Sequence, residues 1–149
     1  MIEYLCKGDM YMRIMGIDYG DARVGVAVSD ALGITAQGVA TVPNKVYNKM
    51  MERLKALIDE YNTQTVVIGL PKNMDGTQGE RCDVTKNFAK DLKELCPQIE
   101  IVFRDERLST VQAAGILNVT NTRGKDRKNV IDTVSACIIL EDYLNSIRR

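Results

Sequence analysis

The chain has 149 residues, 45% of them hydrophobic, which is enough for one domain with a sizeable core. Its 20 basic and 20 acidic residues cancel, so a nucleic acid must be met by a local basic patch or through a metal ion. The sequence has no histidine, which excludes Ser-His and Cys-His catalytic pairs. No apolar run approaches the ~18 residues of a transmembrane helix, and the first ten residues do not resemble a signal peptide, so we expect a cytoplasmic protein without membrane contact.

The predicted elements begin with an antiparallel meander of three strands. Residues 13–18 and 23–29 are apolar runs joined by a tight turn, and residues 34–42 follow as a third strand. Apolar residues at helical spacing then predict a helix over 45–61. The β-branched run at 65–69 is typical of a buried strand, which we take as the fourth.

The second half of the chain alternates helix and strand. It predicts a helix over 79–96 that ends before Pro97, a strand over 99–103, a short helix over 110–117 and a last helix over 128–147. Strand–helix–strand units connect parallel strands by right-handed crossovers. We therefore expect the first, fourth and fifth strands to be parallel, in one domain of the α/β class.

Polar segments follow the carboxyl ends of those parallel strands, which is where ligands bind in open α/β sheets. Asp18 comes at the end of the first strand, and Asp105 and Glu106 follow the fifth. On local sequence alone, Asp18 is also consistent with an ordinary turn residue. The two later carboxylates are equally consistent with surface ion pairs to the neighbouring arginines.

Asp132 stands in "NVIDTVSACIIL", where almost every neighbour is apolar. A carboxylate there must be paired, act as the negative charge at a helix start, or bind a cation. Carboxylates gathered at one edge without histidine form a site for a hard cation, and Mg²⁺ or Mn²⁺ fits such oxygen ligands. Two such ions about 4 Å apart can activate a water and stabilise the leaving oxygen of a phosphodiester.

Two further segments are candidates for nucleic-acid contact. The loop "GLPKNMDGTQGE" precedes a predicted helix start, where backbone N–H groups bind phosphate, although a helix-capping loop explains it equally well. The segment "RGKDRK" carries four basic residues and is either a clamp on a nucleic-acid backbone or a solvated loop. The candidate nucleic-acid-binding residues are Lys72, Asn73, Thr77, Arg107, Arg123, Lys125, Arg127 and Lys128.

Four segments together resemble the YqgF-type family, whose members are described as Holliday-junction resolvases or pre-16S ribosomal RNA nucleases. They are "MGIDYGDARVGVAVSD", "VVIGLPKNMDGTQGE", "RDERLST" and "VIDTVSACIILEDYL", in the family's order. The resemblance implies a ribonuclease-H-like fold, an α/β fold with a five-stranded mixed sheet flanked by helices. It also implies a carboxylate triad with Mg²⁺ or Mn²⁺, formed by Asp18, Glu106 and Asp132, the last of which opens the final helix. It thereby favours Glu106 over Asp105.

The implied activity is a metal-dependent nuclease, a hydrolase acting on the ester bonds of structured RNA or branched DNA. Processing of the 5′ end of precursor 16S rRNA is preferred, with Holliday-junction resolution or non-catalytic nucleic-acid binding as alternatives. A sugar-kinase or actin-type phosphotransferase shares a loop like "GIDYG" but needs two domains. The nuclease domain is expected over residues 12–149, because such proteins usually begin near Met12, with residues 1–11 as a poorly ordered extension. Both a monomer and a homodimer are consistent with the sequence.

Overall fold

The computed structural model describes residues 13–30, 33–71, 79–105 and 124–147, with side chains from Thr133 onward in the last range. The described elements form one five-stranded mixed sheet with three helices. They are β1 (Arg13–Tyr19), β2 (Arg23–Ser29), β3 (Ala36–Pro43), α1 (Tyr47–Glu60), β4 (Thr63–Leu70), α2 (Glu80–Leu95), β5 (Glu100–Asp105) and α3 (Gly124–Ile147). The predicted extension at residues 1–11 and the predicted helix over 110–117 lie outside the described residues. None of the described helices is long and apolar enough to cross a membrane.

The strand order is β3-β2-β1-β4-β5, so β1 is the central strand. β1, β2 and β3 pair antiparallel, whereas β1, β4 and β5 pair parallel. The predicted meander and the predicted parallel set are both confirmed. The carboxyl ends of β1, β4 and β5 therefore meet at one edge of the sheet.

The two faces of the sheet build two separate cores. Alternate side chains of β1, namely Met15, Ile17 and Tyr19, point to one face and join a core formed with α1 and α2. The residues between them point to the other face, where Ala136, Leu140 and other residues of α3 form the second core. Burial on both faces explains why β1 and β4 are almost continuously apolar.

The third strand begins later than the sequence pattern predicts, at Ala36. The carboxylate of Asp30 accepts hydrogen bonds from the backbone N–H groups of Ile34, at 2.7 Å, and Thr35, at 3.3 Å. The bond from Ile34 in particular holds the pKa of Asp30 below its ordinary value. These bonds keep residues 33–35 in a turn, so Ile34 is exposed rather than paired in the sheet.

Helix α3 begins at Gly124, four residues before the predicted start. Asp132 therefore lies more than two turns inside the helix. The interpretation of Asp132 as a helix-opening charge is wrong, because the favourable field of the helix dipole is confined to the first turn.

Helix α3 packs directly on the backbone of the central strand at Gly16. A Cβ atom at this position would lie 2.7 Å from the carbonyl oxygen of Ala136 and 2.8 Å from the Cβ of Leu140. Both contacts are closer than van der Waals packing allows. Only glycine permits this distance between helix and sheet.

We expect Gly16→Ala to lower the free energy of unfolding by about 1–3 kcal/mol, since the added methyl group must push α3 away from β1. Urea denaturation followed by circular dichroism measures the change. Gln64→Ala, at an exposed position on β4, is the control and should change stability by less than about 0.5 kcal/mol. Equal stabilities of the two variants would contradict the close packing.

Candidate active site

Asp18 is the penultimate residue of β1 and pairs with Gly25 on β2, so the strand runs one residue further than predicted. Its carboxylate is half-buried. Because side chains alternate along a strand, Asp18 shares the face of Gly16, which is the face covered by α3. The candidate site therefore lies where α3 crosses the carboxyl edge of the sheet.

The neighbours of Asp18 within the sheet are glycines. Gly25 faces it on β2, and on the other side Ile17 pairs with Ile68, which is followed by Gly69. Neither glycine carries a side chain that could cover the carboxylate from an adjacent strand.

The turn after Asp18 is held from both sides. A Cβ at Gly20 would lie 2.5 Å from the carbonyl oxygen of Arg23, so the turn closes tightly on itself. The amide of Asn44 donates to the carbonyl oxygen of Gly20 at 2.9 Å. The guanidinium of Arg81, at the start of α2, pairs with the carboxylate of Asp21 and donates to the carbonyl oxygen of Tyr19 at 3.4 Å.

Tyr19 completes this anchoring from the opposite face of the sheet. Its ring stacks on Phe88 of α2, with 4.2 Å between the ring centroids and 18° between the planes. Sequence reasoning missed Asn44, Arg81 and this stack. They come together only when the chain folds, since their partners are distant in sequence.

Strand β5 brings Arg104 and Asp105 to the same edge, on opposite faces. Arg104 pairs with Gly69 in the sheet and Asp105 with Leu70, whose side chain points away from α3. The guanidinium of Arg104 holds the carboxylate of Asp142 on α3 through two nitrogens, at 2.6 and 2.8 Å. Arg104 is thus engaged by α3, and Asp105 faces away from Asp18.

The remaining predicted site residues divide into two groups. Glu106 lies outside the described residues, as do Lys72, Asn73, Thr77, Arg107 and Arg123. The helix backbone of α3 includes Asp132, Lys125, Arg127 and Lys128. In the described part of the chain, no group of three or more acidic or cysteine side chains could hold a metal. Two of the three predicted ligands are outside that set of side chains, so the triad stays a prediction.

The backbone of α3 relates Asp132 to the sheet. Ala136 lies against Gly16 of β1, and Thr133 lies against Gly38 of β3. Asp132 precedes Thr133 and comes one helical turn before Ala136. The helix segment that contains it therefore crosses the three strands of the meander on the face of Asp18.

The described cysteines do not supply a nucleophile. Cys82, Cys96 and Cys137 are free, and the first two are buried. Burial raises the pKa of the Cys96 thiol, and burial together with Glu141 raises the pKa of Cys137 to about 11. Both thiols are protonated at neutral pH and hence are weak nucleophiles.

The sequence pattern of a protein family described as "RuvX: Holliday junction resolvase" matches residues 12–146. This chain belongs to the RuvX family. It is 48% identical over 135 residues to a Halothermothrix orenii protein named "Putative pre-16S rRNA nuclease", covering 90% of this chain and 95% of the relative. A Geobacillus kaustophilus protein of the same name is 44% identical over 139 residues, covering 92% of this chain and 100% of the relative. RuvX is another name for the YqgF-type family, so the predicted family is confirmed.

Solved structures agree with this RuvX chain in fold. RuvC of T. thermophilus in complex with a Holliday junction substrate superimposes with a TM-score of 0.54 at 14% identity, covering 92% of this chain and 96% of RuvC. The Fowlpox virus resolvase in complex with Holliday junction DNA gives a TM-score of 0.57 at 14% identity, covering 93% and 100%. The predicted ribonuclease-H-like fold is confirmed.

Alkylation of Cys137 by iodoacetamide should rise about tenfold per pH unit from pH 8 to 10, because only the thiolate reacts and the pKa is about 11. Peptide mapping by mass spectrometry follows this residue separately from the other cysteines. Free glutathione is the control, and its rate should level off near its own thiol pKa. A plateau for Cys137 below pH 9.5 would show that burial does not raise its pKa.

Proposed function

We propose that this RuvX-family chain is a metal-dependent nuclease that hydrolyses phosphodiester bonds of structured nucleic acid, with precursor 16S rRNA as its substrate. The observation that carries the proposal is the half-buried carboxylate of Asp18, flanked by glycines at the carboxyl edge of a ribonuclease-H-like sheet. An acidic group at such an edge suits a divalent cation. The names of the relatives support RNA as the substrate.

The proposed metal ligands are Asp18, Glu106 and Asp132. The orientation of Asp105, which faces away from α3, counts against Asp105 as a ligand on the face of Asp18, and the family resemblance favours Glu106. The packing of α3 supports Asp132, since the residue one turn later, Ala136, touches Gly16, two residues before Asp18. All three side chains offer only oxygen donors, which match the preference of Mg²⁺ and Mn²⁺.

When bound, one or two such ions supply Lewis-acid activation of a water and stabilisation of the leaving oxygen. The chain's own part is to hold the carboxylates in place. The backbone of Asp18 is held at the edge, because the turn after it is fixed by Asn44 and Arg81. With no histidine in the sequence, imidazole takes no part in moving protons.

A second substrate is favoured by specific observations. The family description names a Holliday junction resolvase, and the RuvC and Fowlpox virus structures contain Holliday junctions. A four-way DNA junction is therefore the alternative substrate. For either substrate we propose that the basic segment at 123–128 and the loop at 72–77, together with Arg107, contact the nucleic-acid backbone.

We expect Asp18→Asn to reduce metal-dependent cleavage by several orders of magnitude while the fold persists. The amide keeps the size of the side chain but removes the negative charge that holds the cation. Cleavage of precursor 16S RNA and of a four-way DNA junction, each with and without Mg²⁺ or Mn²⁺, measures the loss and identifies the substrate.

Glu52→Gln is the matched control, because it removes one carboxylate charge from an exposed position on α1. Its cleavage rate should equal that of the wild type. Near-normal metal-dependent cleavage by Asp18→Asn would overturn the proposed site.

Mg²⁺ or Mn²⁺ should raise the melting temperature of the wild-type protein, since a ligand that binds only the folded state stabilises it by mass action. NaCl of matched ionic strength is the control, and Asp18→Asn should lose the metal-specific part of the shift. Differential scanning fluorimetry makes the comparison. If NaCl gives the same shift as the divalent salt, the wild-type protein has no such metal site.

A further inference from the structure

A groove runs between the edge strand β3 and helix α1, with a volume of about 330 Å³. Its floor is apolar, with Val42 buried and Val46 half exposed. Its rim is basic. The residues that line it are Ala40, Thr41, Val42, Pro43, Lys45, Val46, Lys49 and Arg53.

The charged residues that line this groove are all basic. Lys45, Lys49 and Arg53 recur at intervals of four residues, so they form one row along α1 and the segment before it. All three are exposed, and none forms an ion pair with another described residue. Among the residues that the structure describes, no carboxylate lines the groove. In a chain of zero net charge, this row concentrates positive potential in one concave surface.

One end of the groove, at Pro43 and Lys45, flanks Asn44, which holds the turn that follows Asp18. Asn44 donates its side-chain amide to the carbonyl oxygen of Gly20 at 2.9 Å and its backbone N–H to that of Ala22 at 2.9 Å. The next residue, Lys45, opens the basic row. A polymer lying in the groove therefore reaches the carboxyl edge from the α1 face, and it must pass over the turn at residues 19–22 to meet Asp18 on the α3 face.

We propose that this groove binds the sugar–phosphate backbone of a substrate strand that extends away from Asp18. The inference rests on the proposed function and adds a contact that neither the loop at 72–77 nor the segment at 123–128 provides. The three cations neutralise successive phosphates, and the apolar floor packs against sugars. A nucleic acid fits better than an acidic peptide, because its charges repeat regularly along one side of the chain, as the basic residues do.

The decisive comparison is Lys49→Glu against Lys55→Glu. Both lysines are exposed on α1 and both substitutions change the charge equally, but only Lys49 lines the groove. Lys49→Glu places a carboxylate four residues before Arg53. An acidic residue four positions before a basic one stabilises a helix, and the new pair also neutralises the charge of Arg53. Thermal unfolding checks the fold, and Lys45→Gln, located before the helix, is a second variant that does not depend on helix stability.

Binding of fluorescent RNA hairpins with single-stranded tails and of a four-way DNA junction is measured by anisotropy, without divalent metal, over a range of KCl concentrations. Lys49→Glu should weaken binding by on the order of tenfold and reduce the slope of log K against log[KCl] by about 1–2, as expected for one or two lost phosphate contacts. Lys45→Gln should reduce the slope by about 1. Lys55→Glu should leave affinity within about twofold.

Equal losses for Lys49→Glu and Lys55→Glu would overturn the groove, because the effect would then be one of overall charge. Unchanged binding by Lys49→Glu and Lys45→Gln would overturn it as well, as would equal affinity of the groove for polyglutamate of the same charge. The nuclease proposal is tested separately by cleavage with Asp18→Asn. If the groove variants bind more weakly but the wild-type protein cleaves neither substrate, the groove proposal stands and the nuclease proposal is rejected.

Discussion

The close contact between helix α3 and the central strand at Gly16 is the constraint on which the rest of the structure depends. Because no side chain separates them, the carbonyl oxygen of Ala136 reaches the backbone of β1, and the second core closes around this point. Asp18 stands two residues further along the same face. The contact that completes the core therefore also sets the height of the helix above the candidate site, and Arg104 fixes the far end of α3 through Asp142.

On the face covered by α1 and α2, a different set of contacts holds the same carboxyl edge of the sheet in place. There, Tyr19 is buried and stacked on Phe88, while the polar turn beyond it is tied to α2 by Arg81 and to the segment before α1 by Asn44. An apolar anchor stands immediately after Asp18, and hydrogen bonds hold the next residues. The backbone that carries the half-buried Asp18 is thus fixed on the side of α1 and α2. This arrangement suits a group that must exchange water for a ligand without moving.

The periodicity of apolar residues was sufficient to predict the helices and strands whose apolar faces are buried. The strand–helix–strand order was sufficient to predict which strands pair in parallel. Periodicity failed where polar residues determine the start of a helix or strand. The start of α3 carries basic residues, which form helices well but show no apolar period, so the pattern detects the helix too late. The start of β3 is delayed by the carboxylate of Asp30. The position of Asp18 at an edge could be predicted, but its anchors could not, because Arg81 is about sixty residues from the turn that it holds.

The contact between Gly16 and α3 also affects the order in which parts of the protein fold during synthesis. Gly16 is made before its partners on α3, which follow more than a hundred residues later. A growing chain on the ribosome can pair its strands and cover one face with α1 and α2, but the other face of β1 stays open to water until α3 is made. Such a distant contact makes the final closure slow relative to local helix formation. The packing of α3 on the edge that carries Asp18 consequently follows the pairing of the strands.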